Sequence, residues 1–106
     1  MTNTERVEQL KAILTQDETN TLARYALGME YSGAGETDAA VSEFEQLVSH
    51  NPDYANAYFM AAQALANAER RDEAKQWLQR GIACAQRTGN RHAGSEMQAM
   101  LDELEY

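Results

Sequence analysis

Residues 24–52 read RYALGMEYSGAGETDAAVSEFEQLVSHNP, and the order of small and large residues in them determines the architecture of the chain. Small and large residues occur together at fixed spacings in the sequence, most clearly at Leu27-Gly28 and at Ala40-x-x-x-Phe44. The same order returns 34 residues later, where the matching positions hold Tyr58, Ala61, Ala62, Leu65, Ala74 and Leu78. Such a period is typical of two-helix units stacked on each other. The sequence therefore predicts an all-α fold of antiparallel helix-turn-helix repeats.

Length and composition predict one soluble globular domain over residues 1–106. A chain of 106 residues buries about two-thirds of its unfolded surface around a single core. Hydrophobic residues make up 43% and charged residues 25% of the chain, and a single proline favours helix. No basic segment followed by an apolar run opens the sequence, and no stretch approaches the ~18 apolar residues of a membrane span. We therefore expect a cytoplasmic protein that does not bind membranes.

The charge of the chain is negative and unevenly distributed. A net charge of −8 opposes nucleic-acid binding, because contacts to phosphates need clustered Lys and Arg. Seven acidic residues and no Lys or Arg lie between Tyr25 and Glu69, whereas six of the nine basic residues lie between Arg70 and Arg91. This pattern predicts a molecule with one acidic and one basic region.

Helical periodicity and capping residues predict six helices. Pro52 prevents continuation of the third helix and is expected in the first turn of the fourth. In the last helix, apolar residues such as Met97 fall 35 rather than 34 residues after their counterparts, which indicates a helix that covers the second repeat. The predicted helices are 4–15, 20–32, 37–49, 53–67, 72–87 and 90–105. The predicted divisions are an N-terminal flanking helix (1–19), repeat 1 (20–54), repeat 2 (55–88) and a C-terminal capping helix (89–106).

This pattern of small and large residues closely resembles the tetratricopeptide repeat (TPR) family over residues 21–88. The resemblance rests on the combination Leu27-Gly28-x-x-Tyr31, Ala40-x-x-x-Phe44 and Pro52, and on its second copy, Ala61-Ala62-x-x-Leu65 with Ala74-x-x-x-Leu78. The chain departs from the family at Arg24, where a large aromatic residue is usual, and at Gln86, where the closing proline is usual. The resemblance implies a TPR-like α-solenoid of two repeats with a flanking helix at each end.

The resemblance also implies a partner-binding groove on the concave face. This groove stripe consists of Leu22, Tyr25, Met29, Ser32, Asn56, Phe59, Gln63 and Ala66. We expect its Tyr25, Met29 and Phe59 to be exposed apolar groups, which usually mark an interface. The alternative is that the first or last helix folds across the stripe and buries it. A subtype of the family grips acidic chaperone tails with Lys and Asn, and residues such as Met29 at the matching places disfavour that activity.

The sequence indicates no catalytic, metal or cofactor site. His50 and His92 are far apart and have no partner at a ligand spacing, so both are expected at helix ends. Cys84 lies on an apolar helical stripe, where a buried thiol is commoner than a reactive one. We therefore expect a protein that is not an enzyme and needs no cofactor.

Two functions follow from the repeat pattern. The first is a non-catalytic adaptor whose concave face binds a peptide segment or helix of another protein. The second is a structural module that associates with itself as a homodimer, because two repeats leave helix faces exposed and the chain carries regions of opposite charge. A small acidic chaperone for an aggregation-prone partner is a variant of the first.

Overall fold

The computed structural model describes residues 3–105, and their regular structure is entirely α-helical. The all-α prediction is therefore confirmed, and every helix bound lies within two residues of its predicted place. The six helices are α1 (Asn3–Gln16), α2 (Thr21–Gly33), α3 (Thr37–His50), α4 (Ala55–Asn67), α5 (Arg71–Thr88) and α6 (Arg91–Leu104).

Capping side chains and turn residues set these bounds. The side chain of Asn90 accepts a hydrogen bond from the Ala93 backbone N–H at the start of α6, and Gly89 ends α5 with a left-handed φ of 72°. The expectation that Pro52 occupies the first turn of α4 is wrong, because α4 begins only at Ala55. Pro52 lies instead in the connecting turn, where its carbonyl accepts a hydrogen bond of 2.7 Å from the Tyr58 hydroxyl.

Each helix packs against the next one along the chain, and α2, α4 and α6 lie side by side. Among the helices of residues 3–105, α1 contacts only α2, while α6 contacts both α4 and α5, as α4 contacts both α2 and α3. Helix α6 therefore packs on α4 and α5 in the way that α4 packs on α2 and α3. Where the chain divides into repeats and flanking helices remains a prediction.

The 34-residue period places matching large residues in the core. Phe44 of α3 and Leu78 of α5 are both 0% exposed, as their equivalent positions predict. The Phe44 ring packs directly over Gly28 of α2, and a Cβ atom added to Gly28 would lie 2.7 Å from a ring carbon. Glycine at position 28 thus lets α2 and α3 approach closely enough for the ring to fill the space between them.

Arg24 stands where an aromatic residue is usual in the family, and it forms a mostly buried ion pair with Glu43. Its side chain is buried between α2 and α3, and one guanidinium nitrogen donates a hydrogen bond of 2.9 Å to the Glu43 carboxylate. A second nitrogen donates to the backbone carbonyl of Glu18 at 2.7 Å. These bonds compensate for the burial of the charge, which would otherwise be very costly.

The basic and acidic regions are joined by ion pairs between residues 70–87 and residues 38–53. Three arginines of the basic region each bind an acidic residue 32 to 35 positions earlier in the chain. The pairs are Arg70 with Asp38, Arg80 with Glu45 and Arg87 with Asp53. Each pair is exposed to solvent and therefore contributes little to stability. Much of the predicted basic region is therefore neutralised inside the molecule.

Candidate partner-binding face

The eight residues of the groove stripe lie on the neighbouring helices α2 and α4. Four of them follow one face of α2 and four follow one face of α4, and the two helices are in contact. Tyr25 of α2 and Phe59 of α4 both pack against the same core cluster, so the two halves of the stripe adjoin.

The stripe has an exposed part and a partly buried part. Leu22 is 74% exposed and Met29 is 39% exposed, so the apolar groups of α2 face solvent. Asn56 and Gln63 of α4 are exposed as well. Ser32 and Ala66, the two remaining positions at the carboxyl ends of the helices, are half-buried.

The expectation that Tyr25 and Phe59 are exposed is wrong, because both are half-buried against the core. The Tyr25 ring centroid lies 6.0 Å from that of Phe44 and 5.4 Å from that of Tyr54. This burial raises the pKa of the Tyr25 hydroxyl above its ordinary value. Tyr25 and Phe59 thus form the floor of the face, while Leu22 and Met29 project from it.

Tyr54 also contributes to this face, although it is not one of the eight residues of the groove stripe. This residue lies just before α4, outside the helical periodicity that selected the other residues, and its ring packs against Tyr25. An aromatic residue in a short turn between repeats is the signal that could have identified it, because such a ring has only the neighbouring helices to pack against.

Helix α1 packs on a different side of α2 from the stripe. Its apolar residues cluster with Ala23 and Leu27, and its Arg6 forms an ion pair of 3.0 Å with Glu30. At 100° per residue, that side of α2 lies roughly 145° around the helix from the stripe. Leu22 and Met29 therefore remain accessible beside α1.

Helix α6 extends the face beyond α4. A small cavity of about 110 Å³ separates the amino ends of the two helices, and its lining includes Asn56 and Phe59 from α4 and His92 and Glu96 from α6. The face thus spans three helices in the order α2, α4, α6.

The part of the chain that the structure describes contains no cluster of three or more His, Cys, Asp or Glu residues placed to bind a metal ion. No helix within residues 3–105 is both long and apolar enough to span a membrane.

The thiol of Cys84 lies in the core, fully buried, and this burial raises its pKa. We expect the folded protein to react with a disulfide reagent such as Ellman's at least about a hundredfold more slowly than the denatured protein, because reaction requires opening of the helix packing. Absorbance at 412 nm, with glutathione as the reference thiol, measures both rates. Equal rates in the presence and absence of denaturant would contradict the buried position.

Comparisons with known proteins agree with this geometry. The family model described as tetratricopeptide repeat matches residues 31–101. A TPR repeat-containing protein of Pseudomonas aeruginosa, PA0015, is 28% identical over 99 residues, which cover 93% of this chain and 94% of that protein.

Solved structures share the arrangement of helices. The solution structure of BPP2914 from Bordetella parapertussis has a TM-score of 0.79 and 30% identity, over 93% of this chain and 86% of that one. The crystal structure of PcrH in complex with the chaperone binding region of PopD has a TM-score of 0.84 and 16% identity, over 93% of this chain and 75% of that one. At that identity, PcrH shares the fold alone. The period, the helix packing and the family match together lead to one conclusion: this chain belongs to the tetratricopeptide repeat family.

Proposed function

We propose that this protein is a non-catalytic interaction module that binds an extended segment of another protein across α2, α4 and α6. The observation that carries the proposal is the exposure of Leu22 and Met29 above the half-buried rings of Tyr25 and Phe59. Exposed apolar side chains beside an aromatic floor gain free energy when a partner covers them. Methionine suits such a contact, since its flexible thioether adapts to different partner side chains.

The amides of α4 add a second means of recognition. Asn56 and Gln63 are exposed and seven residues apart, so their Cα atoms are separated by roughly 10.5 Å along the helix. A segment that crosses α4 passes near one amide or the other, and the side chain of either can bond to its main chain. A segment that crosses the three helices spans roughly 20–30 Å, or about eight extended residues.

The fold of PcrH is found in complex with a region of another protein, PopD. Since only the fold is shared, this supports the general use of such a helical array for holding a partner segment and leaves the partner of this chain open. A role as a small acidic chaperone is a form of the same proposal, and it fits the net charge of −8.

Self-association as a homodimer is the rival function, and the ion pairs weigh against its electrostatic basis. Arg70, Arg80 and Arg87 already bind acidic residues of the same molecule, which leaves less basic surface for an acidic region of a second copy. Sedimentation velocity at low and high salt separates the two functions, because a monomer under both conditions leaves the face free for a different protein.

The double change Leu22→Ser and Met29→Ser tests the binding face. We expect it to weaken binding of peptides by at least about tenfold, because it removes the exposed apolar contacts. The peptides are selected on the unchanged protein from a library of unstructured segments of about 12 residues, and their affinities are measured by fluorescence anisotropy. Both side chains lie outside the core, so the thermal midpoint should stay nearly constant.

Ile13→Ser is the matched control, because Ile13 of α1 is 44% exposed and lies away from the face. This change should leave the affinities of the selected peptides unaltered. The proposal fails if the double variant binds those peptides as tightly as the unchanged protein, or if the control loses affinity to the same extent.

A further inference from the structure

The three helices of the face differ in chemistry from one side to the other. The α2 part of the stripe carries exposed Leu22 and Met29 and no charged residue. The α4 part also lacks charge and carries the amides Asn56 and Gln63. The face therefore changes from apolar to amide-rich between its first and second helices.

Helix α6 adds carboxylates at the third side. Glu96 lines the cavity beside Phe59, and it contacts His92 one turn earlier on the same helix. Glu103 lies seven residues after Glu96, so it occupies nearly the same side of α6 two turns further on. Glu96 and Glu103 are exposed. The edge formed by α6 is therefore acidic along two turns of helix.

The far end of α4 does not offset this acidic edge. A cavity at that end is lined by Ala66, Glu69, Arg71 and Leu104, which contribute one negative and one positive charge. These two charges cancel, so Glu96 and Glu103 make the net charge on the α6 side of the face negative.

We infer that the partner segment is apolar at one end and rich in Lys or Arg at the other, with its apolar end over α2 and its basic end over α6. The inference rests on the proposed function and adds the chemical class of the partner. Lys or Arg over α6 forms ion pairs with Glu96 and Glu103, whereas an acidic residue there is repelled. The net charge of −8 also accelerates the approach of a basic segment.

A second copy of this chain fits the site less well than another protein. Four of its nine basic residues lie within the folded helix α5 and Arg70 lies just before it, and Arg70, Arg80 and Arg87 are already bound to acidic residues of their own molecule. The segment that complements the face is therefore an extended, apolar and basic part of a different protein.

Two pools of labelled synthetic peptides test the inference. Each pool has four positions randomised among Leu, Ile, Phe and Met, followed by three positions of Lys or Arg in one pool and of Asp or Glu in the other. We expect the basic pool to bind about tenfold more tightly at low salt, and the difference to shrink as salt is added, because the ion pairs on the α6 edge are exposed. Fluorescence anisotropy with each pool measures both affinities.

Charge reversal on α6 localises the effect. Glu96→Lys with Glu103→Lys should reverse the preference between the pools. Glu8→Lys with Asp102→Lys changes the net charge equally at other positions and should retain the basic preference. Leu22→Ser with Met29→Ser should weaken both pools by a similar factor, because the apolar end is common to them.

The outcomes separate this inference from the proposed function. Equal binding of the two pools, or an equal reversal in the Glu8 and Asp102 control, overturns the basic partner class while the binding face stands. Binding of neither pool to the unchanged protein overturns both proposals.

Discussion

Phe44→Ala is expected to lower the free energy of unfolding by about 3–5 kcal/mol. The ring is 0% exposed, lies directly over Gly28 and packs with a centroid distance of 6.0 Å against Tyr25. Its removal loses the transfer free energy of the ring and leaves a cavity. Gly28 has no side chain that could fill this cavity, so the cost falls in the upper part of the range.

Urea unfolding followed by circular dichroism at 222 nm measures the loss. A domain of this size has a total stability of roughly 5–15 kcal/mol, so the variant is expected to be close to unfolding at 37 °C. Leu22→Ala is the matched control, because that residue is mostly exposed and its truncation should cost less than about 0.5 kcal/mol. A loss below about 1 kcal/mol for Phe44→Ala would mean that the 34-residue register is wrong.

The fold was predictable because one period fixes both the helices and their contacts. Gly28 and Phe44 stand at family positions that meet across α2 and α3, and the structure brings them together. Leu78 occupies the equivalent place in the second repeat and is fully buried. Helix ends were predictable where a side chain or a glycine acts locally, as at Asn90 and Gly89. They were less so at Pro52, which lies in the turn before α4 and accepts a hydrogen bond from the Tyr58 hydroxyl.

The extent to which side chains on the candidate face are buried was not predictable from the sequence. Periodicity gives the direction in which Tyr25 and Phe59 point around their helices, and it says nothing of how closely the neighbouring elements approach. Tyr54, outside any helix, packs against Tyr25 and helps to bury it. The roles of these residues therefore change: replacing Tyr25 or Phe59 by alanine should reduce stability as well as binding, so Leu22 and Met29 provide the cleaner test.

The charge pattern also predicts ion pairs, which are missed when the chain is divided only into an acidic and a basic region. Basic and acidic regions suggested an electrically polar surface, yet the arginines pair with acids about one repeat earlier. Residues one period apart occupy equivalent places in adjacent repeats, so their side chains lie close together. Subtracting the period from each basic position would have predicted the three pairs to within two residues.

Arg24→Leu is expected to lower the free energy of unfolding by about 3 kcal/mol, a loss similar to that of a large core residue. Arg24 is 9% exposed, and its change to Leu leaves the Glu43 carboxylate in a mostly buried place without its partner. Removal of one member of a buried ion pair typically costs about 3–5 kcal/mol, and the residual exposure of Glu43 places the loss at the lower end. The carbonyl of Glu18 also loses its donor.

The double variant Arg24→Leu with Glu43→Leu distinguishes an unpaired charge from lost packing. Apolar residues often replace a buried ion pair at little cost, and an aromatic residue is usual in the family at position 24. We therefore expect the double variant to recover most of the stability that Arg24→Leu loses, with a coupling energy above about 1.5 kcal/mol from urea unfolding of all four proteins. Additive losses from the two single changes would mean that the pair is screened by solvent, and that Arg24 stabilises the repeat through its bond to Glu18 and the packing of its alkyl chain.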